Sequence, residues 1–188
     1  MNSEENIQDK EVGDDNLGNP EYVINSESDL KQLAKTVLAL AIDFKLENPA
    51  SGAVLVALQG DLGSGKTTFT KILAEELGIT EHIMSPTFVI LKKYSILDKM
   101  DTSLQPSSDS ALMPFSQLIH IDAYRLQNPE ELTKLGWNDL MKTSSLICLE
   151  WPELVADILP ESYIKVKFEH MSEQELPNSR KVTVSLKV

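Results

Sequence analysis

Gly60-Asp61-Leu62-Gly63-Ser64-Gly65-Lys66-Thr67 fits the phosphate-loop pattern G-x-x-x-x-G-K-[ST] at every fixed position. Such a loop does one kind of chemistry. Its glycines let the backbone approach a ligand closely, and its N–H groups converge on phosphate oxygens. Lys66 is expected to reach the β and γ phosphates as a point charge, and the Thr67 hydroxyl to ligate Mg²⁺. Thr68 follows at the start of a helix whose positive dipole end lies behind the phosphates. The whole run from Gly60 to Thr68, including Asp61, Leu62, Gly63, Ser64 and Gly65, is therefore expected to bind a nucleoside triphosphate.

Phosphoryl chemistry also needs carboxylates to hold the metal's water shell and a residue to orient the attacking water. Asp122 and Glu150 each end a short apolar run, where a strand would deliver them beside the loop. Either fits the metal-binding role. Thr87, in Ser85-Pro86-Thr87, is a candidate sensor of γ-phosphate and metal, although a Ser-Pro-Thr turn also forms for local reasons. Trp151, next to Glu150, is a candidate lining for the nucleotide. Arg125 is one of two arginines, and its default is a pair with a surface carboxylate. His82, His120 and His170 are not spaced as metal ligands, and His120 reads as a strand residue rather than a base.

The elements that must position these residues are legible as periodicity. Ala53–Leu58 is an apolar run suited to a buried parallel strand. Phe69, Ile72, Leu73 and Leu77 repeat at helical spacing, with Gly78 as a stop. Upstream, Tyr22-Val23-Ile24 suggests a short strand. Ser26 or Ser28 then caps a helix with Leu30, Leu33, Ala34, Val37, Leu38, Ala41 and Ile42 on one face. Val89–Tyr94, Leu118–Ile121 and Leu146–Leu149 are predicted strands. Asn128-Pro129-Glu130-Glu131 starts a helix that runs to about Gly136, and a short helix is expected from Leu154 to Leu159. Tyr163–Phe168 and Lys181–Lys187 alternate apolar and polar residues, as half-exposed antiparallel strands do. The expected fold is α/β: a P-loop three-layer sandwich, mainly parallel, with antiparallel C-terminal strands.

Composition bounds the partners. The chain has 188 residues and a net charge of −12, which excludes a general nucleic-acid-binding surface. Residues 1–21 hold seven acids and one lysine, so they are expected to form an acidic flexible arm on a single domain spanning 22–188. Residues 96–117 are polar and rich in turn formers, as in an exposed loop insertion. One cysteine, Cys148, fits a reducing cytoplasm, and the acidic N-terminus does not resemble a targeting peptide.

Four motifs in order carry a family resemblance: Gly60 to Phe69, Ser85-Pro86-Thr87-Phe88, His120-Ile121-Asp122-Ala123-Tyr124-Arg125-Leu126, and Glu150-Trp151-Pro152-Glu153. Together they resemble the TsaE (formerly YjeE) family over about residues 25 to 170. The resemblance implies a slow, Mg²⁺-dependent ATPase needed for threonylcarbamoyladenosine at tRNA position 37. It also implies partners TsaD and TsaB, with tRNA contacted only indirectly. On this likeness Thr67 and Asp122 serve Mg²⁺, Thr87 lies in a switch-like turn, and Glu150 with Trp151 lies near the γ-phosphate. Lys66, Thr87 and Glu150 form the expected catalytic set, with Glu150 also a metal candidate. The acidic arm and the 96–117 loop are longer than the family pattern. The alternative is a small kinase, which normally supplies several arginines to the transferring group. A GTPase is disfavoured further: Asn-Lys-x-Asp is absent, and Asp122-Ala123-Tyr124-Arg125 lacks the glycine of a switch Asp-x-x-Gly.

Overall fold

The computed structural model describes residues 19–96, 113–171 and 179–188. The arm up to residue 18 and residues 97–112 of the polar loop lie outside the described residues. In chain order the elements are β1 (Glu21–Ile24), α1 (Glu27–Glu47), β2 (Val54–Gln59), α2 (Lys66–Glu76), β3 (Leu91–Ser95), β4 (Gln117–Asp122), α3 (Pro129–Lys134) and α4 (Trp137–Leu140). There follow β5 (Ser145–Glu150), a 3-10 helix (Pro152–Ile158), β6 (Tyr163–His170) and β7 (Arg180–Lys187).

The strands form one sheet in the order β1-β7-β6-β2-β5-β4-β3. The central strands β6, β2, β5 and β4 are parallel, while β3, β7 and β1 each pair antiparallel with their neighbour. Apolar residues explain the centre. Val54, Val56 and Leu58 pack on the α1/α2 side, and Leu55 packs on the side of α3, α4 and the 3-10 helix. Both faces of β2 are covered, so its sequence is continuously apolar. In β6 and β7 only alternate residues are buried, so these strands alternate in sequence.

The three-layer α/β sandwich is the fold expected from the sequence. Several boundaries differ. The strand predicted from Val89 begins at Leu91, because Val89 and Ile90 close a turn on the Pro86 carbonyl and Ile90 takes φ 66°. The helix predicted to reach Gly136 ends at Lys134, and Gly136, at φ 91°, opens α4. The short helix after Pro152 is 3-10 and starts at Pro152 itself. Glu21, read as the end of the arm, pairs with Thr183 in the sheet and forms an ion pair with Lys181. At the other expected loop, Phe115 is buried and Gln117 opens β4.

Ser26 is the α1 cap. Its hydroxyl accepts from the Asp29 N–H, and the Asp29 carboxylate accepts from the Ser26 N–H in return. Replacing Ser26 with Ala should cost about 1 kcal/mol. Leu58→Ala, at a fully buried position, should cost about 2–5 kcal/mol. Urea unfolding should show both as midpoint shifts at constant slope. An equal cost for the two substitutions would contradict this division between cap and core.

Candidate functional site

The site sits at the carboxyl end of the parallel strands, where β2, β5 and β4 deliver three loops side by side. Register does the alignment: Leu58 pairs with Glu150, and Glu150 pairs with Asp122. Leu118, Leu146 and Cys148 face the α1/α2 layer. Residues two apart share a face, so His120, Asp122 and Glu150 point to the same side, under the start of α2. A one-residue slip of either strand would turn these side chains away from the loop.

The loop's backbone is built for close approach. Gly60 has φ 147°, and a Cβ there would lie 2.5 Å from the Phe168 carbonyl oxygen, so only glycine fits. Gly65, at φ 111°, opens α2 in the left-handed region. Ser64 is buried and its hydroxyl has no partner among the described residues. This unsatisfied donor in a glycine-rich loop at the start of α2 suits an anionic ligand. The residues therefore fit a bound triphosphate.

Lys66 is buried. Its ammonium donates to the carbonyl oxygens of Gly60 and Asp61, the latter at 2.8 Å, and lies 4.1 Å from the centroid of the Trp151 ring. Burial pulls the Lys66 pKa below the usual lysine value, against the opposing pull of Glu150, Glu153, Asp122 and Asp61. Thr67 Oγ1 donates to the Glu150 carboxylate, at 2.8 Å to Oε1 and 3.0 Å to Oε2. That hydroxyl directs its proton at Glu150 and keeps lone pairs for a cation. Thr87 Oγ1 donates to Asp122 Oδ2, and the Tyr124 N–H donates to Asp122 Oδ1 at 3.0 Å.

Thus Lys66, Thr67, Thr68, Thr87, Asp122, Glu150 and Trp151 line one cleft of about 290 Å³, together with Leu62, Gly63 and Gly65. Asp61 lies outside it and lines the cleft toward β6 instead. No cluster of three His, Cys, Asp or Glu side chains suited to a metal occurs among the described residues. Mg²⁺ at a phosphate site takes one or two protein carboxylates and otherwise phosphate and water, so Thr67 with Asp122 and Glu150 is a fitting set.

Three features differ from or extend the reading of the sequence. Among the described residues Arg125 has no carboxylate partner; its guanidinium sits 4.3 Å from the Phe88 ring centroid. Trp151 takes φ 62°, a strained conformation for a large residue, which turns its ring over Lys66 and 5.1 Å from the Tyr124 ring. His120, read as an ordinary strand residue, is fully buried and contacts Glu150 Oε1 at 2.8 Å through Nε2. The signal available was a polar residue inside an otherwise apolar strand. Cys148 is also buried, and burial pushes its thiol up to about 12.

The strand, glycine loop and helix, with carboxylates on neighbouring parallel strands, define a P-loop nucleotide-binding domain. A family model described as "Threonylcarbamoyl adenosine biosynthesis protein TsaE" matches residues 24–182. The chain belongs to the TsaE family. It is 36% identical over 118 residues to the tRNA threonylcarbamoyladenosine biosynthesis protein TsaE of Haemophilus influenzae, covering 63% of this chain and 64% of that protein. Its similarity to the Bacillus subtilis protein of the same name is 33% over 64% of this chain and 65% of that one. The Rickettsia bellii protein of that name is 31% identical over 84% of this chain and 91% of its own length. The chain thus spans about two thirds of the first two relatives. The crystal structure of Bacillus subtilis YdiB superposes with a TM-score of 0.60 at 27% identity, over 90% of this chain and 85% of that one.

Gly60→Ala should abolish the loop geometry, since the new methyl meets backbone rather than a flexible side chain. We expect a loss of about 2 kcal/mol or more in stability. Circular dichroism melts check this; a variant as stable as wild type would show that the loop can relax around a side chain.

Proposed function

We propose that this protein is an ATP-binding, slowly hydrolysing Mg²⁺-dependent ATPase that supports threonylcarbamoyladenosine formation at tRNA position 37. The observation that carries the reading is the convergence of Thr67, Glu150, Asp122 and Thr87 at the Lys66 end of the loop. Family membership supplies the pathway.

In this reading the triphosphate lies along Gly60 to Thr68. Its β and γ phosphates draw Lys66 off the Gly60 and Asp61 carbonyls. Thr67 and Asp122 would hold Mg²⁺, with Glu150 facing its water shell, and the ion would neutralise phosphate charge when bound. Hydrolysis joins the water oxygen to the γ-phosphorus and breaks the bond to the β–γ bridging oxygen, which keeps the electron pair. The water's proton leaves, and the Glu150 carboxylate is an acceptor for it. Thr87 holds Asp122 through its hydroxyl and makes the turn after Pro86 sensitive to the site.

A second cleft of about 300 Å³ lies across the loop, lined by Asn25, Ser26, Leu30, Thr68, Phe168 and Arg180 among others. It mixes apolar and polar groups and continues from the loop, so it is the proposed place for the ribose and base.

Among the described residues that line the catalytic cleft, Lys66 is the only lysine or arginine. A site so poor in cations stabilises little of the charge that develops on the phosphoryl oxygens, which fits slow turnover alone. Phe88, Val89, Met84 and Leu62 are exposed around it. We take this rim as the face that meets TsaD and TsaB, with tRNA reached only through them. A reducing cytoplasm is the proposed location; no helix among the described residues is long and apolar enough to cross a membrane.

Reconstitution of tRNA threonylcarbamoylation from purified partners tests the whole reading: repeated turnover should need this protein and ATP. Modification at the same rate without it would overturn the assignment. Lys66→Ala should weaken ATP binding by about 2–3 kcal/mol, read by calorimetry. For the carboxylates, Asp122→Asn should reduce the Mg²⁺-dependent part of ATP affinity, while Glu150→Gln should keep ATP bound and lose turnover. Normal hydrolysis by Glu150→Gln would remove that residue from catalysis.

A further inference from the structure

His120 is the polar side chain the ATPase reading leaves unused. It lies in β4 between Ile119 and Ile121 and pairs with Cys148 on β5 and Lys92 on β3. Its exposure is 0%. Nε2 sits 2.8 Å from Glu150 Oε1, and Nδ1 has no hydrogen-bond partner among the described residues. A carboxylate accepts, so the contact assigns a hydrogen to Nε2, and Nδ1 is left without a partner among the described residues. The sheet thus buries an unpaired ring nitrogen where any aliphatic side chain would avoid that penalty. Packing alone does not account for histidine here.

The Glu150 end of the contact explains it. Thr67 Oγ1 is near both carboxylate oxygens, at 2.8 and 3.0 Å, and by itself barely distinguishes them. His120 contacts Oε1 alone, from a neighbouring strand whose position is set by ladder pairing on both sides. One oxygen is then doubly held, and the carboxylate plane is fixed. His120 is absent from the lining of the nucleotide cleft, so it reaches the reaction only through Glu150.

We propose that His120 is a positioning residue for Glu150: its Nε2–H anchors Oε1 and leaves Oε2 aimed for the water that attacks the γ-phosphate. This rests on the ATPase reading above. The anchor acts on the orientation of a group used in the chemical step and not on the loop that grips the phosphates. Its loss therefore falls on kcat, with KM and ATP affinity preserved.

The test compares His120→Leu, His120→Asn and His120→Gln in the full chain. Gln places an N–H close to where Nε2 stands; Asn is too short and Leu has no donor. Hydrolysis kinetics, ATP calorimetry with and without Mg²⁺, and thermal melts are measured on each. The imidazole ¹⁵N shifts are recorded for wild type and Glu150→Gln. We expect His120→Leu and His120→Asn to lower kcat roughly tenfold or more, with KM and Kd changed less than about twofold and most of kcat recovered in His120→Gln. The His120 shifts should report an Nε2–H tautomer that responds to Glu150→Gln. A Gln variant as impaired as Leu, or losses of kcat, affinity and melting temperature that run in parallel, would make His120 a packing residue and overturn the proposal. So would a wild-type Nδ1–H tautomer. Absence of ATP turnover by wild type even with its partners would instead overturn the ATPase reading, while the imidazole shifts would still report the His120–Glu150 contact.

Discussion

A carboxylate held almost out of water organises this protein. Glu150 is 3% exposed at the end of β5, beside the central strand β2. Removing such a charge from solvent is costly unless donors replace the lost water. Thr67 supplies one from the start of α2 and His120 another from β4. Lys66 is buried nearby and satisfied by loop carbonyls. The two buried groups sit within one site, where burial lowers the Lys66 pKa and Glu150 opposes that shift. The same burial that must be compensated in the fold makes each group strong toward a ligand, since a low local dielectric magnifies every charge contact.

Strand order turns that local requirement into a site. β5 lies between β2, which ends in the phosphate loop, and β4, which ends in Asp122. Parallel pairing brings all three carboxyl ends to one edge, and the register places Leu58, Glu150 and Asp122 in a row. Apolar residues on both faces hold the register, because a slip would exchange the two cores. The packing of Val56, Cys148 and Leu118 is thus part of the same arrangement that aims the carboxylates.

The turn from Pro86 to Ile90 connects this rigid edge to the surface. It is tied inward by Thr87 to Asp122 and by the Asp122 N–H to the Ile90 carbonyl. Its outer side carries exposed Phe88 and Val89, with Arg125 stacked on Phe88. Positive φ at Ile90 is an uncommon conformation for a β-branched residue, and such strain persists where surrounding contacts hold it. A group that alters Asp122 on the inside therefore has a short physical route to an apolar surface outside.

The phosphate loop, the layered α/β class and most elements were legible because they rest on local rules: glycine spacing, apolar runs and a serine cap are written along the chain. Asp122 and Glu150 were legible as strand-end acids, but which of them meets Thr67 was open. Pairing register across β5 and β4 answers it: Thr67 meets Glu150, and Thr87 meets Asp122. Arg125 on Phe88 and Trp151 over Lys66 join residues far apart or in strained backbone, so no local pattern announces them. His120 marks the boundary most clearly. In sequence it is one polar residue in an apolar strand; its partner is 30 residues away on the adjacent strand. Period and composition carry information about faces and turns, while the identity of a side chain's partner depends on which strands lie together and in what register.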